Sequence, residues 1–174
     1  LVPELKAKGV KSIVVLLHQG GVPSDPTLYD SCAGVVGPGV DIAKTLHPAV
    51  DVVISGHTHQ AYNCVVTDPA GNPRLLTSAS SLGRIVTTVS IEIDRRTKDV
   101  IRPTAVARNA IVTNADGTAP RADMTALIAK YTALVAPIAN RVIGHVGGPG
   151  SDTLSRTADA DGSGDSPLGN LIAD

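Results

Sequence analysis

Three histidines lie where side chains could do chemistry. The segment SGHTHQ at residues 55–60 presents two imidazoles, His57 and His59, directly after an apolar run, and His18 follows a second apolar run. In extended backbone a His-x-His pair projects to one side, so two neutral imidazoles can reach one metal ion or two adjacent ions. Gly56 is predicted to let the chain turn sharply here. Histidines more often make ordinary hydrogen bonds, so the pair alone does not establish a metal site.

The surrounding elements supply the context for these histidines. Residues 12–17 and 51–54 are continuous apolar runs and predict two strands buried on both faces. Between them, residues 41–46 predict a short helix that Pro48 ends. A strand, helix and strand in this order form a βαβ unit with parallel strands. His18 and His57 should therefore leave the same edge of one sheet, where ligands commonly bind.

Beyond this unit the apolar pattern changes. Alternation predicts strands at residues 63–67, 74–78, 85–93 and 100–106, which we expect to form an antiparallel meander flanking the parallel sheet. Residues 122–136 carry apolar side chains at helical spacing, predicted to be a core stripe. Residues 141–146 predict a short strand, followed by a Gly, Ser, Asp and Pro-rich stretch. The fold class is α/β with α+β elements.

Composition excludes several partners. Fifteen basic and sixteen acidic residues give a formal net charge of -1 without a basic block, so no nucleic-acid polymer is expected as a partner. The absence of Phe and Trp leaves few aromatic clamps for a planar ligand. No apolar run approaches the roughly 18 residues that span a bilayer, so no transmembrane segment is predicted. The oligomeric state stays open.

Three motifs, LLHQGG at residues 16–21, GHTHQ at 56–60 and SPLGNLIAD at 166–174, resemble successive motifs of the 5'-nucleotidase family in order and spacing. The resemblance implies a metallophosphoesterase-type sheet sandwich, of which residues 1–146 form the second half. Residues 147–167 would be a linker, and residues 168–174 would begin the family's C-terminal domain. The chain opens on Leu1, not Met, and is expected to be an internal piece of a longer protein.

The same resemblance implies a two-metal site. His18 and His57 would bind one divalent ion and His59 the other, with zinc or manganese favoured and calcium, cobalt or magnesium as alternatives. Two such ions generate hydroxide near neutral pH and neutralise phosphoryl oxygens. The family's Asp-x-His, Gly-Asp and Gly-Asn-His motifs do not occur, so no catalytic residue is expected in this chain. Weak metal binding and negligible phosphatase activity are predicted for the chain alone.

The resemblance also implies a substrate. Hydrolysis of nucleoside 5'-monophosphates by the longer protein is the leading hypothesis, with a nucleotide or another small phosphoester as the bound partner. Hydrolysis of 2',3'-cyclic nucleotides or UDP-sugars is the alternative within the family. A degenerate metal-binding or adhesion module without catalysis is the alternative from another class.

Cys32 and Cys64 are the only cysteines. A disulfide between them would tie the long loop after His18 to the segment after His59, and two separate buried thiols are the alternative. The disulfide is conditional on export, and the expected location is secreted, periplasmic or at the cell surface.

Several weaker signals favour structural roles. His47 precedes Pro48 at a helix C-terminus, and His145 lies in a strand-like run. Residues 159–170 lack the final Glu of a calcium loop, so a solvated linker is favoured. Ser78, Ser80 and Ser81 have no surrounding Gly-x-Ser-x-Gly elbow and predict a turn next to the site.

Overall fold

The computed structural model describes residues 1–113 and 117–143, together with 166 and 168. The chain divides into two compact units, Leu1–Gly117 and Thr118–Asp174. The elements of the first unit, in chain order, are α1 (Val2–Ala7), β1 (Val14–Leu17), α2 (Pro38–Thr45), β2 (Val52–Ser55), β3 (Ala61–Thr67), β4 (Pro73–Ala79), β5 (Ile85–Ser90), a 3-10 turn (Arg102–Thr104) and β6 (Val106–Ile111).

A four-stranded sheet of order β1-β2-β4-β3 forms the centre of the first unit. Strands β1, β2 and β4 are parallel, and β3 is antiparallel to β4. Strands β5 and β6 form a separate antiparallel pair. The predicted α/β class and the parallel β1-α2-β2 unit are therefore confirmed. Helix α2 begins three residues earlier than predicted, because Pro38 occupies a first-turn position whose φ it fixes in advance.

The predicted flanking meander is only partly correct. The β3–β4 hairpin belongs to the main sheet, since β4 pairs with β2. Only β5 and β6 form a separate antiparallel layer, and β6 starts at Val106, where the sequence predicted a strand to end. Between them, Ile93 and Val100 form an isolated bridge around a turn that the Asp94 carboxylate caps by accepting the backbone N–H groups of Arg96 and Thr97.

Both faces of the sheet carry apolar clusters. On one face α1, α2 and the strands enclose buried side chains that include Val40, Val53, Tyr62 and Leu76. On the other face a smaller cluster centres on Val52, Leu75 and Ala105 beneath the β5–β6 layer. Alternating side chains of each strand therefore enter different cores, as the pleat requires.

Strand β1 is an edge strand, and the prediction that it is buried on both faces is wrong. Val14 is 45% exposed and Leu16 is 79% exposed, whereas Val52 and Val53 of β2 are fully buried. A continuous apolar run cannot distinguish an inner strand from an edge strand, because it records side-chain type and not neighbours.

Arg74 is fully buried at the amino end of the parallel strands. Its guanidinium donates to the carbonyl oxygens of Val50 at 2.9 Å, Ala43 at 2.6 Å and His47 at 2.8 Å. A bond to the Leu46 carbonyl at 3.1 Å completes the set. These carbonyls lie at the end of α2 and in the loop after it, so one cation satisfies acceptors that the helix leaves unpaired.

Two buried carboxylates extend this cluster, which we call the amino-end ionic network (Asp51, Asp68, Arg74 and Arg102). Arg102 donates to Asp51 and to Asp68, each at 2.8 Å, and Asp51 also accepts the Ile13 N–H at 2.7 Å. Burial alone would raise the pKa of Asp68, but hydrogen bonds from Asn72 and Arg102 outweigh it and hold the pKa at about 2. Burial raises the pKa of Asp51 despite its two donors.

The second unit contains α3 (Ala122–Ala139), which extends the predicted helix by three residues and includes Pro137. No residue of α3 is buried, so the prediction of a core stripe is wrong for the described structure. By length and composition alone α3 could cross a membrane, with 18 residues and mean hydropathy 1.2. Core helices of soluble proteins pass the same test, so the absence of a transmembrane segment stays a prediction.

The remaining predictions for this unit concern the stretch after α3. Residues 141–143 form no strand. The rest of the predicted 141–146 strand, His145 and most of the 147–167 and 168–174 segments lie outside the described residues. Within them only Ser166 and Leu168 are described, and Leu168 is helical.

Candidate metal centre

His18 and His57 meet at the carboxyl edge of the main sheet. Strands β1 and β2 run parallel, with Leu17 paired to Ser55, so the residues after them leave the sheet side by side. The two imidazole rings lie 5.1 Å apart, centroid to centroid, at an interplanar angle of 67°. Both side chains are exposed. The sequence prediction that these two histidines converge is confirmed.

The backbone is strained at both histidines of the GHTHQ segment. His57 has φ of 70° and His59 has φ of 57°, in the left-handed region that costs an L residue about 1–2 kcal/mol. Histidine is among the side chains found there more often than average. Such strain persists only where the surroundings impose it, and it clusters at functional sites. The strain at two histidines within three residues therefore identifies this turn as a candidate functional site.

Hydrogen bonds hold the strained turn from both sides. The Thr58 N–H donates to the Gly56 carbonyl at 2.8 Å, and the Thr58 hydroxyl donates to the Gly21 carbonyl at 2.8 Å. On the other side, the Ser80 hydroxyl donates to the His59 carbonyl at 3.0 Å. The turn is thus tied to the loop after β1 and to the turn after β4.

Gly20, rather than Gly56, is the glycine that the site requires. A Cβ on Gly20 would collide with the carbonyl oxygen of Gly56 and lie 2.6 Å from the Thr58 hydroxyl oxygen. A Cβ on Gly56 would meet nothing within 4 Å, and its φ is not positive. The prediction that Gly56 allows a sharp turn is therefore wrong, because the unusual φ values fall on the histidines.

A buried hydroxyl pair lies beneath the edge. The Gly21 N–H donates to the Tyr62 hydroxyl at 2.9 Å, and Ser55 Oγ donates to the Thr77 carbonyl at 2.9 Å. The two hydroxyl oxygens are 2.7 Å apart, and since Ser55 already donates elsewhere, Tyr62 is the donor between them. Sequence reasoning missed both residues. The available signal was a hydroxyl side chain at the end of β2 and another at the start of β3.

The long loop after His18 is anchored by a disulfide. Cys32 and Cys64 are bonded, with Cα atoms 4.9 Å apart, which confirms the predicted bridge over the alternative of two thiols. Next to it, Asp30 accepts the Asn109 N–H at 2.8 Å and also contacts the Asn63 side-chain amide. The loop is therefore fixed to β3 and β6 close to the histidine edge.

The structure unites two of the three predicted metal ligands. In the described ranges, which omit 114–116 and most of the chain after 143, no three His, Cys, Asp or Glu side chains form a group that could hold a metal. His59 follows His57 in the same turn, but no ring contact joins it to the other two within those ranges. Its assignment to a second metal stays a prediction.

The weaker sequence candidates have local roles. The His47 ring nitrogen Nδ1 accepts the Ala49 N–H at 3.0 Å, in keeping with its predicted structural role. Ser78 lies in β4 and donates to the Gln60 carbonyl at 2.7 Å, whereas Ser80 and Ser81 lie in the turn after it. Two of these serines thus position the backbone around His59, next to the site as predicted.

The His18 and His57 side chains could supply some of the ligands of a divalent cation. Neutral imidazole nitrogens are good donors for zinc and manganese-class ions, and two exposed rings leave coordination positions open. The carboxylate that usually completes a hydrolytic site is absent from the described neighbourhood of the histidines. The fit therefore covers one part of a metal site.

Comparison with known proteins gives partial matches. No family model matches. The chain is 30% identical over 171 residues to "Endonuclease YhcR" of Bacillus subtilis and 32% identical over 181 residues to "Cell wall protein Lmo0130" of Listeria monocytogenes. Each match covers 98% of this chain, but the chain spans only 12% and 22% of those relatives.

Two solved structures share the fold. The 5'-nucleotidase precursor of Thermus thermophilus matches with TM-score 0.61 and 24% identity, over 83% of this chain and 27% of that one. The Haemophilus influenzae NAD nucleotidase matches with TM-score 0.53 and 15% identity, over 82% and 34%. The chain therefore has the mixed α/β fold of part of a 5'-nucleotidase and distant sequence similarity to an endonuclease and a cell wall protein.

Proposed function

We propose that this chain carries part of a metal-dependent phosphoester hydrolase acting on nucleotides, with nucleoside 5'-monophosphates as first candidates. The main observation behind this proposal is that the rings of His18 and His57 lie 5.1 Å apart, centroid to centroid, at a sheet edge. The backbone beside them is strained at His57 and His59. Names of similar proteins that include a nucleotidase, an NAD nucleotidase and an endonuclease support the reaction class. Because the chain spans a minor part of each, the activity is assigned to a longer protein.

In this proposal His18 and His57 hold one divalent ion and His59 a second, with zinc or manganese favoured. Such ions supply a hydroxide near neutral pH and neutralise phosphoryl oxygens. The chain's own contribution is orientation: the Thr58 and Ser80 hydroxyls fix the turn that carries both histidines. A fixed turn lowers the cost of arranging ligands and substrate.

An oxidising compartment is part of the proposal. The Cys32–Cys64 disulfide is of the kind that persists in secreted, periplasmic or surface proteins. The relative named as a cell wall protein supports the same location.

Substrate profiling of the longer protein tests the function. With zinc or manganese supplied, we expect phosphate release from a nucleoside 5'-monophosphate to fall about a hundredfold or more in His57→Ala, because removing a ligand disrupts the metal. His47→Ala is the matched control, since that exposed histidine lies at the end of α2 and should leave the rate unchanged. Equal rates for the wild type and His57→Ala would refute the proposal.

The alternatives give distinct outcomes in the same assay. Preferential hydrolysis of 2',3'-cyclic nucleotides or UDP-sugars would retain the metal site and change the substrate. Metal binding without hydrolysis of any of these compounds would favour a non-catalytic metal-binding or adhesion module.

A further inference from the structure

A cleft beside the histidine edge has no role in the proposed metal site. It has a volume of about 310 Å³, and its walls include Pro26, Tyr29, Ser80, Arg84 and Ile111. Ser80 connects it to the site, because its hydroxyl donates to the His59 carbonyl and its N–H donates to the Gln60 carbonyl at 3.1 Å. A ligand that contacts Ser80 in the cleft therefore lies next to the turn that carries His59.

Arg84 gives the cleft a cation. Arg84 is exposed, and its guanidinium donates to the Ser81 hydroxyl at 2.9 Å and to the Ser81 carbonyl at 3.3 Å, which orients it with two of its five N–H donors. In the part of the chain that the structure describes, no carboxylate lies within ion-pair distance of Arg84. An oriented guanidinium without a carboxylate partner is suited to an external phosphate, which it can bind through two parallel hydrogen bonds.

The other walls are apolar or aromatic and are held in place. The Tyr29 carbonyl accepts the Asn109 side-chain amide at 2.6 Å, and the same amide donates to the Ser78 carbonyl at 3.1 Å. Asp30 and the Cys32 disulfide fix the following residues. The backbone that carries Tyr29 is therefore held in place, which lowers the entropic cost of binding a ring against this wall.

We propose that this cleft binds a second nucleotide unit, with its phosphate on Arg84 and its ring against Pro26, Tyr29 and Ile111. The proposal rests on the proposed function and deepens it. Beside the nucleoside 5'-monophosphates, it adds to the substrate class phosphoesters in which the phosphate at the histidine edge is esterified to a second nucleotide. The cleft volume lies at the small end of ligand sites and suits one such unit.

Adenosine 5'-monophosphate, with EDTA present to remove metals, is the probe, and its binding to the full 174-residue chain is followed by NMR titration. We expect shifts at Tyr29 and Ile111, and a dissociation constant about tenfold weaker in Arg84→Gln, because a charge-assisted contact is lost. Arg108→Gln is the control, since Arg108 is exposed and lies on β6 outside the cleft lining.

Each outcome decides the proposal. Unchanged affinity in Arg84→Gln, equal weakening in Arg108→Gln, or shifts confined to residues outside the cleft would overturn it. Inorganic phosphate and adenosine are separate arms, and we expect each to bind more weakly than the nucleotide. Tighter binding of phosphate alone would overturn the assignment of a ring. Because metal is absent, failure of the metal site leaves this result unaffected.

Discussion

The two ends of the main sheet are built in opposite ways. At the amino end, Arg74 and Asp51 are fully buried and Asp68 is 4% exposed, and in the described residues no buried side-chain nitrogen or oxygen lacks a hydrogen-bond partner. At the carboxyl end, His18 and His57 are exposed and the backbone at His57 is strained. The buried polar groups of the first end are paired within the fold, whereas the second end exposes its histidine side chains at a cost in conformational energy.

Arg74→Met should expose the contrast most strongly. It leaves the carbonyl acceptors around α2 without their donor and removes the 3.7 Å contact to Asp68, which keeps Arg102 as its partner, so we expect a loss of about 3–5 kcal/mol in the free energy of unfolding. Urea denaturation followed by circular dichroism measures it. Arg108→Met removes an exposed arginine and should change stability by under about 0.5 kcal/mol. A similar loss in both variants would mean that the amino-end ionic network has no special role.

The second test compares two glycines at the histidine edge. Gly20→Ala should destabilise the chain by about 2 kcal/mol, because the new methyl group overlaps the Gly56 carbonyl. Gly56→Ala should be close to neutral, since its methyl group meets open space. Thermal unfolding of both variants gives the comparison. Equal effects would contradict the close approach of the two loops.

The third test examines the amino end of the sheet through the pH dependence of stability. The pKa of Asp68 is about 2 in the folded chain against 3.8 for a free side chain, so its ionised form stabilises the fold above about pH 4. That contribution, on the order of 2 kcal/mol, is lost as the pH falls from about 4 towards 2. Asp51 has the opposite effect on stability. Its pKa is raised in the folded chain, so protonation of Asp51 as the pH falls favours the folded state.

Denaturation curves between about pH 2 and 7 measure this dependence. In Asp68→Asn the fall in stability between about pH 4 and 2 should be smaller than in the wild type, since the titrating group is gone. An identical acid limb in the two proteins would show that Asp68 is not the group responsible.

The smallest effect concerns the strain at the histidine edge. His57→Gly should raise the free energy of unfolding by about 0.5 kcal/mol, because relief of the positive φ exceeds the extra entropy of glycine in the unfolded chain. His18→Gly is the control and should not stabilise, since His18 has no positive φ. A loss of stability in His57→Gly would argue against strain at this position.

The sequence predicted the parts of the fold that depend on local pattern. The βαβ unit, the convergence of His18 with His57 and the Cys32–Cys64 bridge followed from apolar runs and from the positions of a few residues. Strand pairing beyond that unit was less accessible. Whether the apolar side chains of β1 are covered depends on neighbouring strands that no local pattern specifies.

The site's supporting residues were harder to predict for the same reason. Arg74 satisfies carbonyls 24 to 31 residues away in sequence, and nothing in its own neighbourhood indicates burial. Gly20 is needed because of a contact with Gly56, which only the folded chain shows. The strain at His57 is likewise a property of the assembled turn and not of its composition.

Paramagnetic broadening by manganese tests the central claim most directly. Mn²⁺ added to the ¹⁵N-labelled chain should broaden the amide signals of His18, His57 and His59 first, and the His18→Ala/His57→Ala double variant should lose that selective effect. Broadening centred on the amide signals of Asp51 and Asp68 would contradict the assignment of a metal site to the histidine edge. The same broadening pattern in the double variant as in the wild type would also contradict it.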